Sequence, residues 1–277
     1  MKSFFISVLT LSVSLMAQAD MVVLEERINT REGMPQWNNQ LVEKVLTQSD
    51  LKKTGLIECA EVNELPGAYF CAATKKSMMN KALSRASIFS EGTTGVNKGN
   101  VIGTDSKSYL DIVAQASGHD IPSSELIGFW AKLEQTCQAG GACPIPEEKE
   151  FFDKIVSPIS QIHSQFVIIS YSLDSDWYQT VTHELMHAQY FLNPVFQKTV
   201  DTFWDHEVTP DDRKKIKQVL SQGYNQNDEF VMKNEFQAYL LDSKGPFGWL
   251  KDFSVKYRLK LVQKLTEAGT PPLEVRN

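Results

Sequence analysis

The strongest pattern along the chain is Gln165-Phe-Val-Ile-Ile-Ser-Tyr171, a β-branched and aromatic run between polar residues. It predicts a strand, readable either as an interior strand or as one offering a free edge to an extended peptide. Leu173-Asp-Ser-Asp176 then supplies turn and N-capping residues. From Trp177 the apolar period lengthens to that of a helix, which Asn193-Pro194 stops. On this helix Trp177, Val181, Leu185, Ala188 and Leu192 share one apolar side. Thr182 and Gln189 read as a narrow polar edge, while Thr180, His183, Glu184 and His187 fill a separate sector. Thr209-Pro-Asp-Asp212 carries an N-cap, a proline at N1 and first-turn acids, so a helix runs from there to Gly223. Further helices are predicted from about Asn227 to Asp242, with Lys233 and Gln237 as a polar stripe, and from about Trp249 to Ala268.

The first half is less regular. Gln36 to Ser49 is amphipathic in the helical sense. Leu56–Val62 and Ala68–Ala73 read as short strands around the Glu64-Leu-Pro-Gly67 turn. Lys75 to Ser87 is helical in pattern, and Ser90 to Thr104, rich in Gly, Asn and Thr, reads as a loop. Asp105 precedes a helix to Ser117, and Pro122 opens another towards Cys137. Pro144 and Pro146 interrupt before Glu147 to Val156 resumes. The expected class is α+β, predominantly α-helical, with a small sheet beside the helix that carries the histidines. An N-terminal helical lobe with a hairpin would span residues 20–160, and a second lobe residues 161–277.

Composition narrows the setting. Lys2, an apolar run from Phe4 to Leu15 and Ala17-Gln18-Ala19 have the layout of a signal peptide over residues 1–19, with Asp20 as the mature start. The run is too short to span a membrane, and no later segment reaches 18 apolar residues. A periplasmic or secreted protein, with no membrane span once the signal is cleaved, is therefore expected. The net charge is −6 without a basic block, which disfavours a nucleic-acid partner. Four cysteines in an exported chain suggest two disulfides. Of three connectivities, Cys59–Cys71 and Cys137–Cys143 are preferred: the first pair is equidistant from Leu65 across the hairpin, and the second flanks the flexible Gln138-Ala-Gly-Gly-Ala142. A cysteine metal site is the weaker reading, since no C-x-x-C is present.

The candidate chemistry lies in His183-Glu-Leu-Met-His187. Histidines one turn apart aim at one point, and Glu184, rotated by about 100°, flanks it. Two neutral imidazoles and a third ligand would hold Zn2+ with one position open to water, and the carboxylate would act as general base. The bland alternative is a helix whose histidines only make core contacts.

Two acids compete as third ligand. Glu207 lies twenty residues beyond His187, in Asp205-His-Glu-Val-Thr-Pro210 just before a helix start. Glu235 falls on the helical wheel among Val231, Met232, Ala238 and Tyr239, where a carboxylate is costly unless paired or metal-bound. Burial favours Glu235. Asn234 is a candidate for supporting the ligands, and Tyr239, His206, Tyr224 and Tyr190 are candidate hydrogen-bond donors to a transition-state oxyanion. His119 and His163 lie outside both motifs and read as structural or exposed.

His183-Glu-Leu-Met-His187 resembles the H-E-x-x-H motif of the zincin metallopeptidases, and Asn234-Glu-Phe-Gln-Ala238 resembles the second-helix motif of the gluzincins, whose Glu is the third zinc ligand. The loop between the motifs is longer than in thermolysin-like enzymes, and the resemblance covers roughly residues 165–242. It implies a zincin-like catalytic core over the second lobe and a zinc metallopeptidase hydrolysing peptide bonds, with a peptide, protein or cell-wall peptide as substrate. A zinc-dependent cell-wall amidase, or a non-enzymatic exported protein with a structural zinc, are the alternatives.

Overall fold

A computed structural model describes residues 57–62, 64–93, 96–172, 177–241 and 250–273. The signal-like segment, the expected helix at 36–49 and the turn at 173–176 lie outside them.

The hairpin forms around the expected Glu64-Leu-Pro-Gly67 turn. Strand β1 (Ile57–Glu61) pairs antiparallel with β2 (Ala68–Ala73), with Cys59 directly opposite Cys71. A disulfide joins them at a Cα–Cα distance of 4.0 Å. A second disulfide, Cys137–Cys143, closes the loop after α3 with Cα atoms 4.4 Å apart. Both are compatible with a secreted chain. Among the described residues no helix is long and apolar enough to cross a membrane.

The chain then runs through α1 (Lys76–Glu91), α2 (Lys107–Gln115), β3 (Gly118–Pro122) and α3 (Ser123–Gln138). Next come α4 (Pro146–Phe151), a π-helical turn (Phe152–Val156) and α5 (Ser157–Ile162). Strand β4 (Val167–Ser172) leads into α6 (Trp177–Leu192), α7 (Pro194–His206), α8 (Pro210–Leu220), α9 (Glu229–Leu241) and α10 (Lys251–Glu267).

Four strands make one sheet in the order β1-β2-β4-β3. Strand β4 lies parallel to β2 and antiparallel to β3, so it is interior and offers no free edge; the edge strands are β1 and β3. Side-chain alternation divides the sheet into two faces. Phe70, Ala72, Val167, Ile169 and Tyr171 pack against Val181, Leu185 and Ala188 of α6. Tyr69, Cys71, Ile121 and Ile168 face the opposite way, onto Met79, Leu83 and Ala86 of α1 and Phe129 and Leu133 of α3. A third core joins α6 to the C-terminal helices through Met186, Tyr190, Trp204, Phe236 and Leu261. The molecule is mostly helical with this small sheet, consistent with an α+β class.

Three sequence expectations need correction. Asn193-Pro194 ends α6 but also starts α7 at once: the Asn193 side chain accepts from the amides of Val195 and Phe196, and Pro194 takes N1. A helix therefore occupies 194–206, where none was expected. Thr182 and Gln189 are not a polar edge but buried. Gln189 donates to the Pro271 carbonyl (3.1 Å) and accepts from the Leu273 amide (2.8 Å), clamping the C-terminal segment onto α6. Gln237, read as part of a polar stripe, is also fully buried, whereas Lys233 pairs with Asp205 at 3.0 Å.

Candidate metal centre

Helix α6 is apolar towards the sheet and again towards α7 and α9. One sector remains, and it carries His183, Glu184 and His187. The His183 and His187 Nε2 atoms lie 3.1 Å apart. Glu235 projects from α9 between them, with Oε2 3.7 Å from His183 Nε2 and Oε1 3.7 Å from His187 Nε2. Tetrahedral zinc with bonds of about 2.0–2.1 Å spaces its ligand atoms roughly 3.3 Å apart. Three donors from two helices therefore already stand near the required separations. Both His187 and Glu235 are buried, and Glu235 Oε2 has no hydrogen-bond partner. An orphaned carboxylate oxygen is costly in such a place, and a cation bound there would satisfy it. The donor set fits a metal ion.

A second group shares the space: Asp120 from β3, Glu184 and His187 also bring ligand-type atoms within 4.8 Å of one another. Asp120 hydrogen-bonds Glu184 and Glu91, the last residue of α1. Neither Asp120 nor Glu91 was singled out from the sequence. Glu91 lay at the edge of an apparent loop because α1 runs four residues beyond the expected Ser87. Asp120 sits in a five-residue strand whose alternation, His119 and Ile121 against Gly118 and Asp120, is too short to stand out from a turn.

Gly118 explains how the carboxylates come so close to the sheet. A Cβ at this position would lie 2.6 Å from Glu184 Oε1, 2.6 Å from Thr180 Cγ2 and 2.8 Å from the Ser170 carbonyl oxygen. Only a residue without a side chain lets Glu184 lie against the edge strand. On the other face of β3, buried His119 contacts Ser87 Oγ (2.6 Å) and Asn80 Oδ1 (2.9 Å), fixing the strand to α1.

Burial dominates the electrostatics. It pushes Asp120 and Glu235 up to about 7, although hydrogen bonds pull Asp120 back and His187 pulls Glu235 back. Glu184 and Glu91 are held well above the ordinary carboxylate range by burial and then by neighbouring acids. Burial lowers His187 to about 4, which leaves its imidazole neutral as metal ligation demands. Without a cation, these acids retain protons that an ion would displace.

A cleft of about 870 Å³ opens onto this cluster, lined among others by Lys107, Asp111, Thr180, Tyr224 and Tyr239. The Tyr239 ring packs edge-on against His183 at 4.4 Å, and its hydroxyl lies 3.2 Å from that of Tyr224. Tyr224 in turn hydrogen-bonds Glu235. Asn234 is buried and contacts His187.

The other candidates lie elsewhere. Glu207 is exposed at the C-cap of α7, outside both ligand groups, and the exposed His206 beside it does not line the cleft. The Tyr190 hydroxyl donates to Asp201 at 2.7 Å, away from the cleft. His163 pairs with Glu61 at 3.0 Å. The chain matches no family model, no curated protein and no solved structure. Its own geometry is thus what identifies the region, as a buried His/Asp/Glu cluster able to hold a metal ion beside an open cleft.

Proposed function

We propose that the protein is a zinc-dependent hydrolase of amide bonds, most simply a metallopeptidase, with His183, His187 and Glu235 as metal ligands and Glu184 as general base. The observation that carries this reading is the convergence of those three donors at 3.1–3.7 Å beside a cleft, with Glu184 at its wall. A structural zinc site usually closes around four protein ligands. Three side chains and an accessible cleft suit the catalytic arrangement better.

Bound there, zinc would lower the pKa of a coordinated water and polarise the scissile carbonyl. Glu184 would take the water's proton and deliver it to the leaving amine. Positive charge held by His183, His187 and Glu235 would return its carboxyl to the ionised form a base requires. The Tyr239 hydroxyl, whose ring packs against His183 and which pairs with Tyr224, would be the donor to the developing oxyanion.

Elemental analysis of the purified chain together with Glu184→Gln tests the proposal. The parent should carry about one zinc and cleave at least one member of a panel of peptides, proteins and peptidoglycan. Glu184→Gln should keep the metal and lose roughly 10²–10⁴-fold in turnover. Glu235→Ala should lose zinc, and Glu207→Ala should keep it. Zinc in the parent without turnover on the panel would favour a structural metal, and peptidoglycan cleavage alone would favour a cell-wall amidase.

A further inference from the structure

We propose that Asp120 is the positioning residue of His187: its Oδ2 accepts the imidazole Nδ1–H, fixing the tautomer whose Nε2 lone pair faces His183 and Glu235. The inference rests on the metal-centre reading but concerns a residue outside the H-E-x-x-H helix and the Glu235 helix.

The observation is a matched pair of orphans. Asp120 Oδ2 and His187 Nδ1 are both buried, both lack a hydrogen-bond partner, and lie 3.9 Å apart. A neutral imidazole has one N–H and one lone pair. A metal at the point shared with His183 (3.1 Å) and Glu235 (3.7 Å) needs the Nε2 lone pair, which puts the proton on Nδ1. A buried N–H needs an acceptor, and the facing oxygen is the Asp120 carboxylate. Closing the gap by under one ångström makes an ordinary hydrogen bond.

The surroundings hold Asp120 for this task. Antiparallel pairing of β3 with β4 places Asp120 opposite Ile169, whose side chain packs on α6. The neighbouring His119 anchors the strand from behind to Ser87 and Asn80. Glu91 and Glu184 hydrogen-bond the same carboxylate. Asp120 thus joins the edge strand to the second histidine, as the outer carboxylate of a carboxylate–histidine–metal relay. Asn234, whose side chain also interacts with His187, is the rival partner.

Long-range ¹H–¹⁵N correlation spectra of the full chain read the tautomer directly, without metal or activity. His187 should carry its proton on Nδ1 in the parent. A proton on Nε2 would overturn the proposal. Zinc titration against a competing chelator supplies the second readout: Asp120→Ala should weaken binding about 10–100-fold. Asp120→Asn, which keeps shape and an acceptor but loses the charge, should weaken it less while retaining the Nδ1–H tautomer. Should Asp120→Ala fail to fold, a parental zinc affinity in Asp120→Asn would sink the idea. Equal affinity in Asp120→Ala and parent would do the same, as would a tautomer that changes only in Asn234→Ala. A parent that binds no zinc at all defeats the hydrolase reading, yet leaves the tautomer measurement to decide this one.

Discussion

At the residue scale, Gly118 and Glu184 depend on each other. The close approach of Glu184 Oε1 to the edge strand exists because position 118 has no Cβ. Gly118→Ala must displace the Glu184 carboxylate, the Thr180 methyl and the Ser170 carbonyl together. We expect a loss of ~1–3 kcal/mol of stability, the usual range for overpacking a filled site, together with reduced turnover. Thermal unfolding checks the first expectation; an unchanged melting temperature would mean that Glu184 moves aside freely. The sequence displayed His183, Glu184 and His187 because helical periodicity makes an i,i+4 pair visible. Glu235 was legible for another reason: a carboxylate among Val231, Met232 and Ala238 is anomalous on a helical wheel. Asp120 and Glu91 carry no such local anomaly. Their importance arises from tertiary placement, which a short strand and the last residue of a helix do not reveal.

At the element scale, what the sequence displays follows the length and regularity of each pattern. The hairpin register was readable because two cysteines and a Pro-Gly turn agree on it. Helix α7 is invisible to a reading of Asn-Pro as a stop signal alone, because the same pair caps and starts a helix. The small strand β3 is held less by its own propensity than by its pairing with β4 and by His119. Burial drives His119 down to about 3, so it stays neutral in the fold while the unfolded chain protonates near 6.5. Between those values the unfolded state binds the extra proton, and stability falls as pH falls, by up to ~1.4 kcal/mol per pH unit from this group. His119→Gln, which retains hydrogen-bonding capacity, should lose some stability at pH 7, and its deficit against the parent should shrink from pH 6.5 to 4. Urea melts of both proteins across that range provide the check, with parallel pH curves as the contrary result. A second element-scale expectation concerns the C-terminal segment. Gln189→Ala removes both bonds to Pro271 and Leu273 and should cost about 1–3 kcal/mol while freeing residues 271–273 to proteolysis.

At the scale of the whole molecule, one cluster collects side chains from α1, β3, α6 and α9, so the first half of the chain contributes Glu91 and Asp120 to a site whose motifs lie in the second. That convergence concentrates acids where water is scarce, and the metal-free fold responds by keeping protons on them. The sign of the consequence follows from linkage. Carboxyls whose folded pKa is raised hold more protons than the unfolded chain between their ordinary values, near 4, and about 7 for Asp120 and Glu235. In that window the contribution of these two carboxyls falls as pH rises, opposite in sign to that of His119. A bound cation reverses the balance: it requires the deprotonated ligands, displaces the retained protons, and binds more tightly as pH increases. Zinc at a free concentration 100 times its Kd adds ~2.7 kcal/mol, or roughly 5–10 °C in melting temperature for a chain of this size. We therefore expect chelation to lower the melting temperature clearly at pH 7 and much less at pH 5, and Glu235→Gln to abolish the difference. Calorimetry with and without chelator at the two pH values measures it. An increment equal at both would show that the buried acids are not the groups an incoming cation must deprotonate, and that the ion sits somewhere other than between His183, His187 and Glu235.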